Sequence, residues 1–315
     1  ASDAYHSAST YCWGRNWAGE VGDGSTTQRD SPTAVLSGLE PNYLSAGGFH
    51  NCAISDDSLL INCWGKNGQG QLGNTWDSND LDSDSGSSTL VKSLLPSGKT
   101  PSQVSGGGEH TCAIMDDGSI YCWGYNTYGQ LGDDSNSNSQ TAVAVSMPSG
   151  LTATSIDMGY IHSCAIMSDG QVYCWGSNSN GRLGDGTDSD QKYPVNSFDI
   201  PVGRTATSVS AGEGHTCAVL DDGSLYCSGR NMYGQLGDGT TDTASSPQVV
   251  TVVSQVAQIS AGESFTCAVL VDGNAYCWGY NRNGQLGLGS NVDQTEAQQL
   301  DLPPMQLIRS GNAYA

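Results

Sequence analysis

The 315-residue sequence predicts an all-β repeat fold, and three observations predict it. One phrase returns six times, its 42 glycines and many Ser, Asn and Asp residues fall at fixed places within that phrase, and no segment shows a convincing 3.6-residue apolar period. The second half of the phrase is the easiest to follow. Cys12, Cys63, Cys122, Cys174 and Cys277 are each followed by Trp-Gly and Cys227 by Ser-Gly, at intervals of 51, 59, 52, 53 and 50 residues. Each copy then passes through an Asn into a Gly-Gln-Leu-Gly-like turn, at residues 19–22, 70–73, 129–132, 181–184, 234–237 and 284–287. The 59-residue interval carries an insertion, Trp76 to Ser88.

The first half of the phrase is a β-branched residue, a small Ser-Ala-Gly-Gly run, His or Phe, a polar residue and Cys-Ala-Ile/Val, as at 104–114, 156–166, 209–219 and 259–269. Between the two Cys of a unit stands Asp-Asp-Gly or a variant, flanked by apolar and polar alternation, which is a hairpin signal. Each unit therefore supplies about four short strands joined by tight turns. Periods of this size with four strands predict propeller blades, which protect strand edges by radial packing. The small residues suit a crowded centre where backbones converge.

The expected architecture is one β-propeller domain over 1–315 with units near 1–43, 44–103, 104–155, 156–208, 209–258 and 259–307, and 308–315 as a closing strand. Ile308 to Ala315 aligns on Ile259 to Thr266, so that the C-terminal and N-terminal strands share a blade and close the ring.

The run Ser-Ala-Gly-Gly-x-His-Thr-Cys-Ala, then Asp-Gly, then Cys-Trp-Gly-x-Asn-x-x-Gly-Gln-Leu-Gly-Asp-Gly resembles the repeat of the regulator of chromosome condensation family, six times in order across Tyr5 to Ala315. The resemblance implies a β-propeller, commonly of seven blades, so seven is the alternative to the six counted. It also implies binding modes. A nuclear member exchanges nucleotide on a small GTPase and binds chromatin, and similar secreted bacterial propellers inhibit β-lactamases.

Ten cysteines pair by spacing: Cys52 with Cys63, Cys112 with Cys122, Cys164 with Cys174, Cys217 with Cys227 and Cys267 with Cys277. Each pair spans the Asp-Gly turn, which sets the sulfurs facing across antiparallel strands. Disulfides are the natural reading and imply an oxidising, extracellular or cell-surface location; zinc pairs and reduced core thiols are the rivals. Cys12 is left unpaired. Its partner falls beyond Ala315, or it is free to join another chain, or Tyr5 to Ala8 forms a first strand of its own and leaves the C-terminal strand open to a neighbour.

A formal charge of -21 excludes nucleic acid and anionic membrane surfaces as partners, since both attract proteins through Lys and Arg. No window reaches 18 apolar residues and the opening ASDAYHSAST has no signal-peptide pattern, so an exported chain is read here in its mature form.

Candidate chemistry is weighed against repetition. His50, His110, His162 and His215 share one repeat position with Phe265 and Tyr314, which suits packing rather than catalysis. The paired acids Asp116-Asp117 and Asp221-Asp222 recur at turns, where Asp caps its own backbone. Gly68-x-Gly70-x-x-Gly73 opens no helix, so no nucleotide is expected there. In the insertion, Asp80, Asp82 and Asp84 have the opening spacing of a calcium loop, although Ser85 stands where the turning Gly belongs and no Glu follows at position twelve; a solvated acidic loop is the alternative, and no other cofactor is expected.

The loops after each Trp/Ser-Gly are where the repeats diverge. They carry Arg15, Trp17, Lys66, Tyr125, Tyr128, Arg182, Arg230, Met232, Tyr233, Tyr280 and Arg282, five of the 11 bases in an acidic chain. Equivalent blades place these loops on one face, and Tyr, Trp and Arg dominate interface hot spots. The expected function is a secreted or surface-displayed, non-enzymatic module that binds a protein or an extracellular polymer through that face. The alternatives are a structural subunit joined through terminal strands or Cys12, with self-association, then an inhibitor of an extracellular enzyme, then a propeller hydrolase or lyase.

Overall fold

The computed structural model describes residues 10–36, 41–55, 59–75, 86–196, 198–306 and 308. Each repeat phrase folds as an antiparallel meander. The first blade comprises β3 (Pro41–Ala46), β4 (His50–Ser55), β5 (Ile61–Gly65) and β6 (Ser87–Lys92), and the second β7 (Pro101–Gly106), β8 (His110–Met115), β9 (Ile120–Gly124) and β10 (Ser139–Ala144). The third holds β11 (Ala153–Met158), β12 (His162–Met167), β13 (Val172–Gly176) and β14 (Gln191–Asn196), with the short 3-10 turn η1 (Ser179–Gly181) between the last two. The fourth holds β15 (Ala206–Ala211), β16 (His215–Leu220), β17 (Leu225–Gly229) and β18 (Ala244–Val249), and the fifth β19 (Val256–Ala261), β20 (Phe265–Leu270), β21 (Ala275–Gly279) and β22 (Gln294–Gln299). The N-terminal pair β1 (Tyr11–Gly14) and β2 (Arg29–Ala34) is the outer part of the sixth blade.

The C-terminal segment meets the fifth blade through hydrogen bonds like those that open other blades. Met305 N–H donates to Gly273 O (2.9 Å), as Ala153, Ala206 and Val256 donate to Gly118, Gly170 and Gly223 at the start of other blades. Ile308 N–H reaches Gln258 Oε1 (3.1 Å) just as Ile156 N–H reaches Gln103 Oε1 (3.3 Å). The remainder of the expected closing strand, Arg309 to Ala315, the alternative strand at Tyr5 to Ala8, and the calcium candidates Asp80, Asp82 and Asp84 lie outside the described residues.

The five expected cysteine pairs sit directly opposite one another on the second and third strands of their blades, 4.1 Å apart at Cα, and are disulfide-bonded. Cys12 is a free, half-buried thiol whose pKa burial raises.

Blades are joined by a repeated polar seam. The indole N–H groups of Trp64, Trp123, Trp175 and Trp278 donate to the carbonyls of Glu20, Gln71, Gln130 and Gln235 in the preceding blade's turn, at 2.9 to 3.0 Å. The hydroxyls of Thr111, Ser163 and Thr266 donate to the last three of those carbonyls (2.8 Å each). Because these hydroxyl protons are committed, the oxygens accept from Nε2–H of His50, His110 and His215 in the neighbouring blade (2.7, 3.0 and 2.8 Å). The imidazoles lie flat against Gly47, Gly107, Gly159 and Gly212, where a Cβ would come within 2.8 Å of ring carbon, so glycine is required at those four positions.

The fourth blade departs from this plan. Ser228 stands where the other blades have the indole, and Phe198, fully buried, fills the vacated core beside Gly184.

Candidate binding face

In each complete blade the chain leaving the third strand is hydrogen-bonded to the hairpin loop between the first two. Lys66, Tyr125, Ser177, Arg230 and Tyr280 N–H groups donate to Phe49, Glu109, Ile161, Gly214 and Ser264 carbonyls at 2.8 to 3.0 Å. The divergent loops and the channel mouth thus belong to one face. A buried Asn shapes each loop: Asn16, Asn67, Asn126, Asn178, Asn231 and Asn281 each accept, through Oδ1, the N–H five residues on (2.8 to 3.0 Å). This cage holds the turn while leaving the intervening side chains unconstrained. It is carried by the Asn of the repeat phrase, whose constancy is its only signal in the sequence.

On this scaffold the side chains form two clusters. In the first, Arg15 stacks 4.5 Å from the Phe49 ring and 6.0 Å from Trp17, while Lys66 lies 5.1 Å from Phe49. Glu20 pairs with Arg15 (3.0 Å) and Glu109 with Lys66 (2.7 Å). Trp17 is 76% exposed. In the second, Tyr233 and Tyr280 pack edge to face at 4.8 Å, with Arg230 and Arg282 within 5.9 Å of their rings. Met232 offers its sulfur to Arg230 Nε at 3.1 Å, and Arg230 faces Glu213 at 3.6 Å. Tyr125 and Tyr128 meet edge to face between the clusters, and Phe49 and Tyr160 meet across the channel mouth. Phe49 and Tyr160 belong to the inner hairpin loops, whose repeated signal in the sequence is the small Ser-Ala-Gly-Gly run.

Four of the six glutamates of the chain, Glu20, Glu109, Glu213 and Glu263, stand on this face, whereas the opposite face carries the Asp-Gly turns. Burial, and then the neighbouring Glu213, raise the Glu263 carboxyl pKa against the opposing pull of Arg230. Arg182 differs from the other ten residues read as face contacts. It is only 7% exposed, its Nε donates to Ser179 O (3.0 Å) and its Nη1 to Glu213 O (2.9 Å).

The channel behind the face, about 730 Å³, is lined by the first strands. Ser45, Ser105, Asp157 and Ser210 each accept the backbone N–H of the next blade, at 2.8 to 3.1 Å. Asp157 also accepts from Ser105 and Ser210 hydroxyls, so it braces three blades. The four histidines are buried in the seams, with pKa values lowered by desolvation to about 4 for His50, about 3 for His110 and His215, and well down for His162. Neutral and out of solvent's reach, they serve packing.

The architecture is therefore a disulfide-stapled propeller with a divergent aromatic and basic face over a constant body. A family model described as the RCC1-like domain matches residues 82–314, and the chain belongs to that family. Similar proteins include the Arabidopsis thaliana ultraviolet-B receptor UVR8, 31% identical over 77% of this chain and 53% of that protein, and the Homo sapiens E3 ubiquitin-protein ligase HERC2, 29% identical over 77% of this chain and 5% of that protein. The chain thus spans between a twentieth and about half of these relatives. Among solved structures, human WBSCR16 superposes with a TM-score of 0.78 at 18% identity, covering 97% of this chain and 98% of that one. Saccharomyces cerevisiae Prp20p superposes at 0.59 with 20% identity, covering 96% and 89%; its structure is described with its binding to Gsp1p and histones.

Proposed function

We propose that this propeller is a protein-binding module of an oxidising, extracellular or cell-surface environment, and that its partner docks on the face formed by the Arg15–Trp17–Phe49–Lys66 and Arg230–Tyr233–Tyr280–Arg282 clusters. The observation that carries the reading is that the units repeat the backbone and the buried Asn of these loops and differ in the side chains they carry there, where cations already stack on aromatic rings. The five disulfides support the compartment. A protein is the ligand class we assign, in keeping with Prp20p, a protein of the same fold that binds Gsp1p and histones. The raised pKa of Cys12 leaves little thiolate for exchange at neutral pH and weighs against joining chains through that residue.

The test is photo-crosslinking in the native extracellular medium from a probe at position 127, comparing the wild type with Trp17→Ala/Tyr233→Ala and with Asp117→Asn/Asp222→Asn. Loss of the crosslinked partner in the first variant and retention in the second is expected. The opposite pattern would move the binding surface to the Asp-Gly face and overturn the proposal.

A further inference from the structure

We infer that Arg182 is an anchor for a carboxylate presented by the partner protein, an inference that rests on the binding-face reading and names the chemistry of what docks there. The turn position it occupies is Glu20, Gln71, Gln130, Gln235 or Gln285 in the other units. In the four Gln turns the side-chain Oε1 accepts the N–H two residues earlier, from Gln69, Tyr128, Tyr233 and Asn283, at 2.9 to 3.0 Å, and Glu20 does the same for Ala18 (2.8 Å). A guanidinium has no acceptor, so this turn loses that bond. The loop bends differently there, with Asn180 at φ 64° inside η1.

The same substitution places a cation at 7% exposure whose hydrogen bonds, among the described residues, run from Nε to Ser179 O and from Nη1 to Glu213 O, with none from Nη2. Among the described residues no carboxylate lies within 4 Å of it. The acids whose charge acts on it are engaged elsewhere: Glu213 faces Arg230 at 3.6 Å, and Asp190 accepts Asn178 N–H at 2.7 Å. In the four Gln turns the amide Nε2 is buried without a hydrogen-bond partner among the described residues, and Arg182 answers that with its two carbonyl bonds, but it does so by burying a charge with no carboxylate within 4 Å, which is costly. A cost of this kind at one repeat out of six marks a site. An acidic side chain or C-terminal carboxylate of the partner, entering between Tyr128 and Arg230, would meet the unfilled donors of a rigid planar fork. Desolvation makes such a charge-assisted pair strong and selective against a neutral amide.

The probe is the tripeptide Ac-Tyr-Glu-Tyr-amide, titrated against the intact chain while the guanidinium N–H signals are followed by NMR, with Ac-Tyr-Gln-Tyr-amide as the neutral control. Arg182→Gln identifies the signal and restores the residue of four sister turns. We expect the Arg182 signal to shift and saturate with the Glu peptide, the Gln peptide to bind at least tenfold more weakly, and Arg182→Gln to fold normally and lose the preference. Equal binding of the two peptides to the wild type would overturn the inference without any variant. Tighter binding of inorganic phosphate than of the Glu peptide would overturn the assignment of a carboxylate. If the partner is lost with Trp17→Ala/Tyr233→Ala but held equally by Arg182→Gln, the face reading stands and the anchor falls.

Discussion

The seams and the face are made from the same six repeats, yet they obey opposite rules. In the seams, indole, hydroxyl and imidazole recur at matching distances from blade to blade. On the face, five backbone hydrogen bonds recur just as closely while the side chains they carry run from Lys to Ser to Tyr. The difference teaches that the buried Asn cage separates loop shape from loop identity: conformation is fixed from inside, so surface residues are released from structural duty.

If that separation is real, seam and face substitutions should fall in different energy ranges. Trp123→Ala should cost about 3 to 5 kcal/mol in urea unfolding, having removed a fully buried indole and a seam hydrogen bond. Phe198→Ala should cost about as much, which would sharpen the comparison by showing that the fourth blade replaced its indole by a neighbour rather than doing without. Opening one staple with Cys112→Ser/Cys122→Ser should cost about 3 kcal/mol by the same measurement.

Acid tests the seams together. Folded His50, His110 and His215 bind protons only near pH 3 to 4, folded His162 likewise only well below the ordinary histidine range, and the unfolded ones near 6.5. Their contribution is therefore complete above pH 6.5 and is lost as the pH falls toward 4, at about 1.4 kcal/mol per pH unit for each histidine that titrates in the unfolded chain alone. His110→Phe, which copies Phe265 of the fifth blade, should flatten the acid limb of a stability–pH curve by one proton. Arg282→Ala should change stability by less than about 0.5 kcal/mol, as befits an exposed cation 3.6 Å from Asp293, while weakening capture of the partner. A large loss of stability there would erase the distinction between the two regions.

Much of this was legible before any coordinates. The six-fold phrase, the cysteine spacing and the Asp-Gly turns predict blades, staples and hairpins because each is a local pattern that backbone chemistry reads directly. The face was legible as the place where repeats disagree. What escaped was contact between distant units. Phe49 and Tyr160 stand about 110 residues apart and meet only because the ring brings two hairpin loops to one rim. Phe198 belongs to no repeated phrase and carries no signal of its own, since its role exists only opposite Ser228. The sequence places Arg182 among the exposed contacts as one of the bases in the divergent loops, but its turn position is an inward one in every such loop, with Gln71, Gln130 and Gln235 fully buried there.

The staples have a mechanical consequence. Every disulfide closes a stretch of only 10 or 11 residues within one blade, and none of the five crosses a seam. Under tension between the chain ends, the ring should therefore peel blade by blade, with each staple withholding roughly 35 Å of contour length that a reducing agent would release. A force trace would show a sawtooth whose step grows on reduction, so that the redox state of the surroundings sets how far a stretched molecule can reach.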